Sequence, residues 1–196
     1  MKGSGLSSSA AFEVLVGTIL SHLYNGGQVS AVKIAQISQY AENVFFGKPS
    51  GLMDQMASSV GGFIAIDFKD TESPIIESVP ADFEKFGHAL CIVDARGDHA
   101  DLTDEYAAIP NEMKSVAGYF TCETLRQLSK DDIMLNIRVL REKFGDRAVL
   151  RSIHFFDENE RVDKLVHALK AGNFEDFLSN VKESGDSSFK YLQNIY

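Results

Sequence analysis

The sequence predicts an α+β fold in two lobes, and the order of its apolar patterns supports this. Between residues 3 and 62, apolar side chains recur at helical spacing between turns rich in glycine and serine. Three runs of β-branched and aromatic residues follow, typical of strands: residues 63–68, 75–79 and 89–93. Helical spacing returns from residue 101, so we place the boundary near residue 85, between a lobe of residues 1–85 and a mostly helical lobe of residues 86–196.

Residues with strong local preferences indicate where the helices begin and end. Gly26 should end the first helix, and Gly145 should end a later one. Ser30 and Asn173 are candidate N-caps, and Pro110 should either break a helix or start a new one. The first helix should bury a stripe of apolar or small residues, namely Ala11, Val14, Leu15, Thr18, Ile19 and Leu23.

Composition and charge exclude several classes of function. The 196 residues carry a formal net charge of −9 without any long basic run, so we expect no nucleic-acid partner. No apolar stretch reaches the ~18 residues of a membrane span, and we expect neither membrane insertion nor a signal sequence. Cys91 and Cys122 lack metal-ligand spacing and are too few for a disulfide framework. We therefore expect a cytoplasmic protein with reduced thiols.

A segment rich in glycine and serine, Gly3 to Ser9, runs directly into the first predicted helix. Glycine lets the backbone approach an anion closely, and the free N–H groups at a helix start favour negative charge. Serine hydroxyls add donors to phosphate, or oxygen ligands for a hard cation. The segment lacks the Lys-Ser/Thr ending of a P-loop and the third glycine of a dinucleotide-binding loop. It is either a phosphate-binding loop of another type, or a flexible linker or expression remnant after Met1.

Two motifs, in this order, resemble one enzyme family. The stretch Gly3-Ser4-Gly5-Leu6-Ser7-Ser8-Ser9-Ala10 resembles the nucleotide loop of the GHMP small-molecule kinases, and Gly51-Leu52-Met53-Asp54-Gln55 is similar to the catalytic-aspartate segment of the galactokinases within that family. The resemblance implies GHMP-kinase architecture, with a partial N-terminal lobe like domain 2 of ribosomal protein S5 and a partial ferredoxin-like C-terminal lobe. It also implies ATP-dependent phosphorylation of the anomeric hydroxyl of galactose, with Mg²⁺ as cofactor. The implied ATP-binding residues are Gly3, Ser4, Gly5, Leu6, Ser7, Ser8 and Ser9.

Asp54 and Tyr106 each have a structural and a functional interpretation. Asp54 follows a Pro-Ser-Gly turn at the start of a short predicted helix, where a carboxylate often caps the helix or interacts with its dipole. The resemblance implies instead that Asp54 is the catalytic aspartate, which binds the sugar and orients or deprotonates its hydroxyl. Tyr106 is either a core tyrosine on an apolar helix face or, by the resemblance, a second residue that contacts the sugar.

Glu42 lies near the C-terminal end of the second predicted helix, where the helix dipole disfavours a carboxylate. It is either a solvated surface residue or, by the resemblance, the glutamate that binds Mg²⁺ in relatives such as mevalonate kinase, although one extra residue separates it from Asp54. The same resemblance makes the Ser9 hydroxyl the second metal ligand. A carboxylate, a hydroxyl, waters and phosphate oxygens suit the octahedral preference of Mg²⁺.

Two galactokinase motifs are not found in these 196 residues. They are an N-terminal sugar-binding run with its arginine and a C-terminal glycine-rich motif. We therefore expect an internal fragment that has no sugar kinase activity by itself and self-associates through uncovered core surface. Three alternatives stay open: an inactive sensor of galactose and ATP on the same fold, a helical interaction fragment, and a GHMP kinase for another sugar.

Overall fold

A computed structural model describes residues 6–48, 50–93 and 103–195, with the backbone alone for residues 103 and 104. Contacts within the chain divide it into two compact units, Met1–Ala100 and Asp101–Tyr196. This division falls later in the chain than the lobe boundary expected near residue 85. None of the described helices combines the length and the apolar character needed to cross a membrane.

The first unit packs helices against a small sheet. Its elements are α1 (Ser8–Asn25), α2 (Ala31–Tyr40), a π-helical turn (Ala41–Phe45), α3 (Met53–Val60), strand β1 (Ile64–Asp67), strand β2 (Ile75–Ser78) and a 3₁₀ turn (Glu84–Phe86). The strands pair antiparallel, with Ile66 opposite Ile76. Ala35 of α2 and Met56 of α3 are fully buried, and the apolar face of the sheet packs against them. Burial of this shared apolar surface holds α2, α3 and the hairpin together.

The predicted ends of the first two helices are confirmed. Gly26 follows α1 in the left-handed conformation, with φ of 58°. The Ser30 hydroxyl accepts a hydrogen bond from the backbone N–H of Lys33 at 3.2 Å, which satisfies one free donor at the start of α2. Local preference was a sufficient guide here because both ends are set by residues within one turn of the helix.

The prediction of a third strand at residues 89–93 is wrong. The described residues of this segment adopt no regular structure, and the sheet contains β1 and β2. Leu90 is 77% exposed and Val93 is 86% exposed. A strand needs a neighbour that accepts its hydrogen bonds, and no described residue pairs with this segment. Strand propensity alone could not supply that neighbour.

The predicted buried stripe of α1 is also wrong in most positions. The helix packs through Ala10, Val14 and Ser21, whereas Leu15 and Leu23 of the predicted stripe are 56% and 68% exposed. Apolar side chains occur around much of α1, so helical spacing did not define one face. The packed face is instead the one that carries small residues, where helices can approach closely. A Cβ atom added at Gly17 would lie 3.2 Å from Ile34 of α2.

The exposed apolar face of α1 leads us to predict that the 196-residue chain self-associates. Phe12, Leu15 and Leu23 are each more than half exposed, and a contiguous apolar surface of this kind promotes association in water. Size-exclusion chromatography with light scattering should show dimers or larger species. The double substitution Leu15→Lys/Leu23→Lys should give monomers, whereas Ile75→Lys, at an exposed apolar position of β2, should not. A monomeric wild-type chain would contradict this prediction.

Every regular element that the structure describes in the second unit is a helix or a helical turn. Its elements are α4 (Thr103–Tyr119), a 3₁₀ turn (Leu125–Gln127), α5 (Lys130–Leu135), α6 (Ile137–Ala171), α7 (Phe174–Ser187) and a π-helical turn (Ser188–Leu192). Pro110 lies inside α4, and Gly145 interrupts α6 with φ of 83°, as its predicted role as a helix end requires. The Asn173 side chain accepts from the N–H of Asp176, which confirms the predicted cap of α7.

A buried histidine links α6 and α7 in this unit. The Nδ1 atom of His154 lies 2.9 Å from the Ser187 hydroxyl oxygen. Burial lowers the pKa of His154, and the charge of Arg161 lowers it further. Glu158, Asp157 and the hydrogen bond with Ser187 act in the opposite direction without reversing the shift. The imidazole is therefore more easily protonated in the unfolded chain than in the folded one.

Acid should destabilise the protein through His154. Because the folded pKa lies below the ordinary value of 6.5, the unfolded chain takes up the proton first, and stability falls as the pH drops from 6.5 toward the folded pKa. Thermal unfolding of His154→Gln should therefore show a smaller loss of Tm between neutral pH and pH ~5.5 than wild type. His167→Gln, at an exposed position of the same helix, is the matched control. An equal loss in all three proteins would contradict the assignment.

Candidate active site

The carboxylate of Glu42 lies at the centre of a polar cluster formed by three elements of the first unit. Ser9 comes from the first turn of α1, Glu42 from the π-helical turn after α2, and Gln55 from the first turn of α3. Glu42 Oε1 accepts hydrogen bonds from the Ser9 hydroxyl at 3.2 Å and from Lys48 Nζ at 2.8 Å. Its Oε2 accepts from Gln55 Nε2 at 2.9 Å. Glu42 is 4% exposed, so the interpretation as a solvated surface residue is wrong.

The π-helical turn and the loop after it place these groups. A π-helical turn widens the helix by one residue and occurs often at functional sites. The N–H of Lys48 donates to the backbone carbonyl of Glu42 at 3.2 Å, which folds the loop back over the turn. Asn43 holds the far end of the loop, because its Oδ1 accepts from Ser50 N–H at 2.7 Å and its Nδ2 donates to Ser50 O at 3.2 Å. The loop therefore leads directly from Glu42 into α3.

The cluster keeps Glu42 ionised despite its burial. Burial alone would raise the pKa of Glu42. Hydrogen bonds from Lys48, Ser50 and Ser9, together with the charge of Lys48, outweigh this and hold the pKa below its ordinary value. A buried, ionised carboxylate in contact with a hydroxyl is a strong site for a cation.

A second carboxylate, Glu13, lies beside Glu42. Burial raises the pKa of Glu13, and the negative charge of Glu42 raises it further, while the hydrogen bond with Gln55 and the charge of Lys48 lower it. Glu13 Oε2 and Gln55 Oε1 are buried without a hydrogen-bond partner among the described residues. Buried acceptors normally have a partner, so this cluster has spare oxygen atoms for a cation or ordered water.

The donor set fits Mg²⁺. Magnesium usually binds one or two protein carboxylates and completes its octahedron with waters and substrate phosphates. Ser9 and Glu42 supply a hydroxyl and a carboxylate that already contact each other. Groups of three or more His, Cys, Asp or Glu side chains that could hold a metal are not found among the described residues. The cluster therefore suits a metal that arrives with phosphate oxygens.

The glycine- and serine-rich segment is described from Leu6 onward; Gly3, Ser4 and Gly5 lie outside the described residues. Ser7 adopts the left-handed conformation with φ of 53°, which is uncommon for a residue with a side chain. It makes no side-chain cap on α1, and Ser8 and Ser9 are exposed in the first turn. The start of α1 therefore has no side-chain cap, which leaves its first N–H groups available to an anion.

Asp54 is an exposed residue in the first turn of α3. The residue at the N-cap position is Leu52, and this helix start has no side-chain cap, so Asp54 does not cap it. Its neighbour Gln55 points the other way and bonds Glu42. The first turn of α3 thus presents one carboxylate to solvent and anchors the buried one beside it. This arrangement leaves the Asp54 carboxylate accessible to a substrate.

Tyr106 lies on α4 in the second unit and is 55% exposed. The interpretation of Tyr106 as a core residue is therefore wrong. The other predicted site residues that the structure describes belong to the first unit. The contact of Tyr106 with a sugar remains a prediction.

Two open clefts lie in the first unit. One of about 570 Å³ is lined by apolar residues of α1 and α2, with Ser9, Glu13, Glu42 and Lys48 at its polar end. The other, of about 670 Å³, includes Gly51 and Leu52 but none of the predicted site residues. The smaller cleft is the relevant one, because charged and hydroxyl side chains converge there.

Three members of the cluster were not predicted from the sequence: Glu13, Lys48 and Gln55. Gln55 is 1% exposed, and its position beside Asp54 in the Gly51–Gln55 motif was the available signal. Lys48 occurs in the same Gly-Lys-Pro-Ser-Gly turn. Glu13 lies on α1, where nothing in its own neighbourhood indicates a partner on α3. These contacts join residues far apart in the chain, so local pattern could not reveal them.

Comparison with known proteins finds relatives of this chain. Residues 2–62 match the GHMP kinases N terminal domain. The chain is 34% identical to the galactokinase of Thermotoga maritima over 173 residues, which cover 88% of this chain and 46% of that protein. It is 31% identical to the galactokinase of Thermosipho africanus over 194 residues, which cover 98% of this chain and 52% of that protein.

The fold leads to the same relatives. The chain is similar to a Lactococcus lactis galactokinase crystallised with galactose, with a TM-score of 0.75, 26% identity, and coverage of 98% of this chain and 49% of that one. The chain thus spans about half the length of the relatives it matches. This similarity confirms the predicted α+β fold with GHMP-kinase architecture. Residues 2–62 therefore match the GHMP kinases N terminal domain, and the chain is similar to galactokinases along most of its length.

Proposed function

We propose that the protein to which this chain belongs transfers the γ-phosphoryl group of ATP to the anomeric hydroxyl of galactose, giving galactose 1-phosphate and ADP. The observation that carries this proposal is the buried Glu42 carboxylate, hydrogen-bonded to Ser9 at the start of α1 and joined through Gln55 to the helix turn that presents Asp54. The similarity to galactokinases, one of them crystallised with galactose, supports the choice of sugar.

The start of α1 binds the nucleotide phosphates in this proposal. The uncapped N–H groups and the hydroxyls of Ser7, Ser8 and Ser9 donate to phosphate oxygens, and the positive end of the helix dipole favours the anion. The proposal extends phosphate binding to Leu6 and, from the motif alone, to Gly3, Ser4 and Gly5, which lie outside the described residues. In this proposal an overall acidic chain can bind ATP because the N–H and hydroxyl donors are concentrated at the start of α1.

Ser9 and Glu42 would hold Mg²⁺ in this proposal, and the metal when bound would supply positive charge to the phosphates. The contact between Ser9 and Glu42 at 3.2 Å supports this assignment, because Ser9 lies in the first turn of α1 beside the proposed phosphate donors. Gln55 holds the second oxygen of Glu42 and so fixes the orientation of its carboxylate. Nearly all of the catalysis in phosphoryl transfer comes from such positioning and charge stabilisation.

Asp54 acts on the sugar. Its exposed carboxylate accepts a hydrogen bond from the anomeric hydroxyl and takes its proton as the hydroxyl oxygen bonds to the γ-phosphorus. The bond between the γ-phosphorus and the bridging oxygen of ADP breaks in the same displacement, and ADP leaves with that electron pair. Tyr106 contributes a further contact to the sugar.

The test is sugar-dependent ADP release by the protein as its gene encodes it, with these 196 residues in their natural context. We expect turnover with galactose and Mg-ATP that exceeds turnover with other hexoses and pentoses. Faster turnover with another sugar would make it a GHMP kinase of different specificity. Binding of galactose and ATP by calorimetry without any turnover would make it a sensor and contradict the proposal.

A further inference from the structure

We propose that the Lys48 ammonium group occupies the cation position on Glu42 when no metal is bound, and that a divalent cation must displace it to bind. This inference rests on the proposed function, because it concerns the same metal ligands. It assigns to Lys48 a competing role in metal binding, distinct from the ligand roles of Ser9 and Glu42.

The hydrogen bonds of Glu42 show the competition. A carboxylate oxygen has two acceptor sites. Oε1 uses one for the Ser9 hydroxyl and the other for Lys48 Nζ at 2.8 Å, and Oε2 uses one for Gln55. A metal that binds Glu42 together with Ser9 approaches Oε1, where Lys48 sits. Two cations cannot share that place, so the ion pair opposes metal binding.

Lys48 is the partner that is free to move. Its side chain is 63% exposed, whereas the Glu42 side chain is 5% exposed. The loop that carries Lys48 is anchored at both ends, by Phe46 N–H on Ala41 O and by Ser50 on Asn43. The lysine side chain can therefore swing into solvent while Glu42 and the start of α3 stay in place. The released ammonium remains tethered next to the metal, where phosphate oxygens would attract it.

The charge balance favours a divalent cation over lysine. Two carboxylates, Glu13 and Glu42, act on each other in the cluster, and Lys48 supplies one positive charge. Lys48 brings one positive charge to Glu42, whereas a divalent cation brings two to the same carboxylate and so attracts it more strongly. Lys48 therefore pairs with the buried carboxylate of Glu42 when metal is absent and is displaced when metal binds.

The experiment measures metal binding directly, without turnover. Mn²⁺ is titrated into the protein as its gene encodes it, at pH ~8 so that the carboxyl groups are ionised, and free Mn²⁺ is followed by electron paramagnetic resonance. If Lys48 occupies Oε1 about 90% of the time, wild type loses about tenfold in apparent affinity. Lys48→Met should therefore bind Mn²⁺ about tenfold more tightly than wild type, and Lys48→Arg should stay near wild type.

Two further variants separate this inference from the proposed function. Lys85→Met removes an exposed lysine paired with Asp82 at 3.4 Å and should leave Mn²⁺ affinity unchanged. Glu42→Gln should weaken Mn²⁺ binding about 100-fold or more in either background. If Glu42→Gln weakens binding in this way but Lys48→Met leaves the affinity unchanged or weaker, Lys48 does not compete, and the metal site stands without it. If neither wild type nor Lys48→Met binds Mn²⁺, both the competition and the metal site are overturned.

Discussion

Replacing Asp54 with asparagine should lower kcat with galactose by about 100-fold or more, the usual scale for the loss of a positioned acid–base group. Asparagine keeps the size and one acceptor oxygen of aspartate but cannot take the hydroxyl proton. Asp54 is exposed and does not cap α3, so the substitution should leave the fold and the affinities for galactose and Mg-ATP nearly unchanged. Steady-state kinetics and calorimetry on the protein encoded by the gene would measure both quantities.

Asp70→Asn is the matched control for this substitution. Asp70 is an exposed aspartate in the turn between β1 and β2, where its Oδ1 accepts from the N–H groups of Glu72 and Ser73. Asparagine can accept the same bonds, so kcat should be unchanged. A kcat near wild type for Asp54→Asn would remove Asp54 from the chemistry and leave it as a carboxylate that interacts with the helix dipole.

Replacing Glu42 with glutamine should have the second largest effect, a higher Mg²⁺ requirement. Loss of residues that merely orient a metal ligand typically costs 10- to 100-fold in metal affinity, so loss of the ligand's charge should cost about 100-fold or more. Glutamine keeps the shape of the buried side chain and can still accept from Gln55. Activity measured against total Mg²⁺ at fixed ATP should shift to higher concentrations and recover in part at saturation.

Glu72→Gln removes the same charge from an exposed turn of the same unit and should leave the Mg²⁺ dependence as in wild type. If Glu42→Gln changes activity equally at every Mg²⁺ concentration, its role is to hold the cluster together. If it changes nothing, the buried carboxylate has no part in catalysis.

Much of the first unit could be predicted because its signals are local. Ser30 and Gly26 act within one turn of the helix ends that they define, and β1 and β2 are joined by a short turn that pairs them. Residues 89–93 carry the same strand propensity without a described neighbour and form no strand. A segment with strand propensity forms a strand only where another segment can pair with it. That pairing depends on the tertiary structure.

Part of the site could be predicted because some of its residues lie in recognisable sequence motifs. Ser9 and Glu42 were singled out by resemblance to family motifs, and the structure brings their side chains into contact. The burial of Glu42 and its bonds to Lys48 and Gln55 were not visible in any single motif. They arise because the π-helical turn and its loop return the chain to the first turns of α1 and α3. A local sequence pattern does not show which distant residues the folded chain brings into contact.

A crystal structure of the protein with Mn²⁺ and a non-hydrolysable ATP analogue tests the central claim most directly. The claim is that Ser9 and Glu42 together hold the metal of a phosphoryl-transfer site. The anomalous signal of manganese should lie within coordination distance of a Glu42 carboxylate oxygen and the Ser9 hydroxyl, with phosphate oxygens completing its shell and Lys48 displaced from Oε1. A manganese ion bound to the nucleotide but out of reach of Glu42 would contradict the claim.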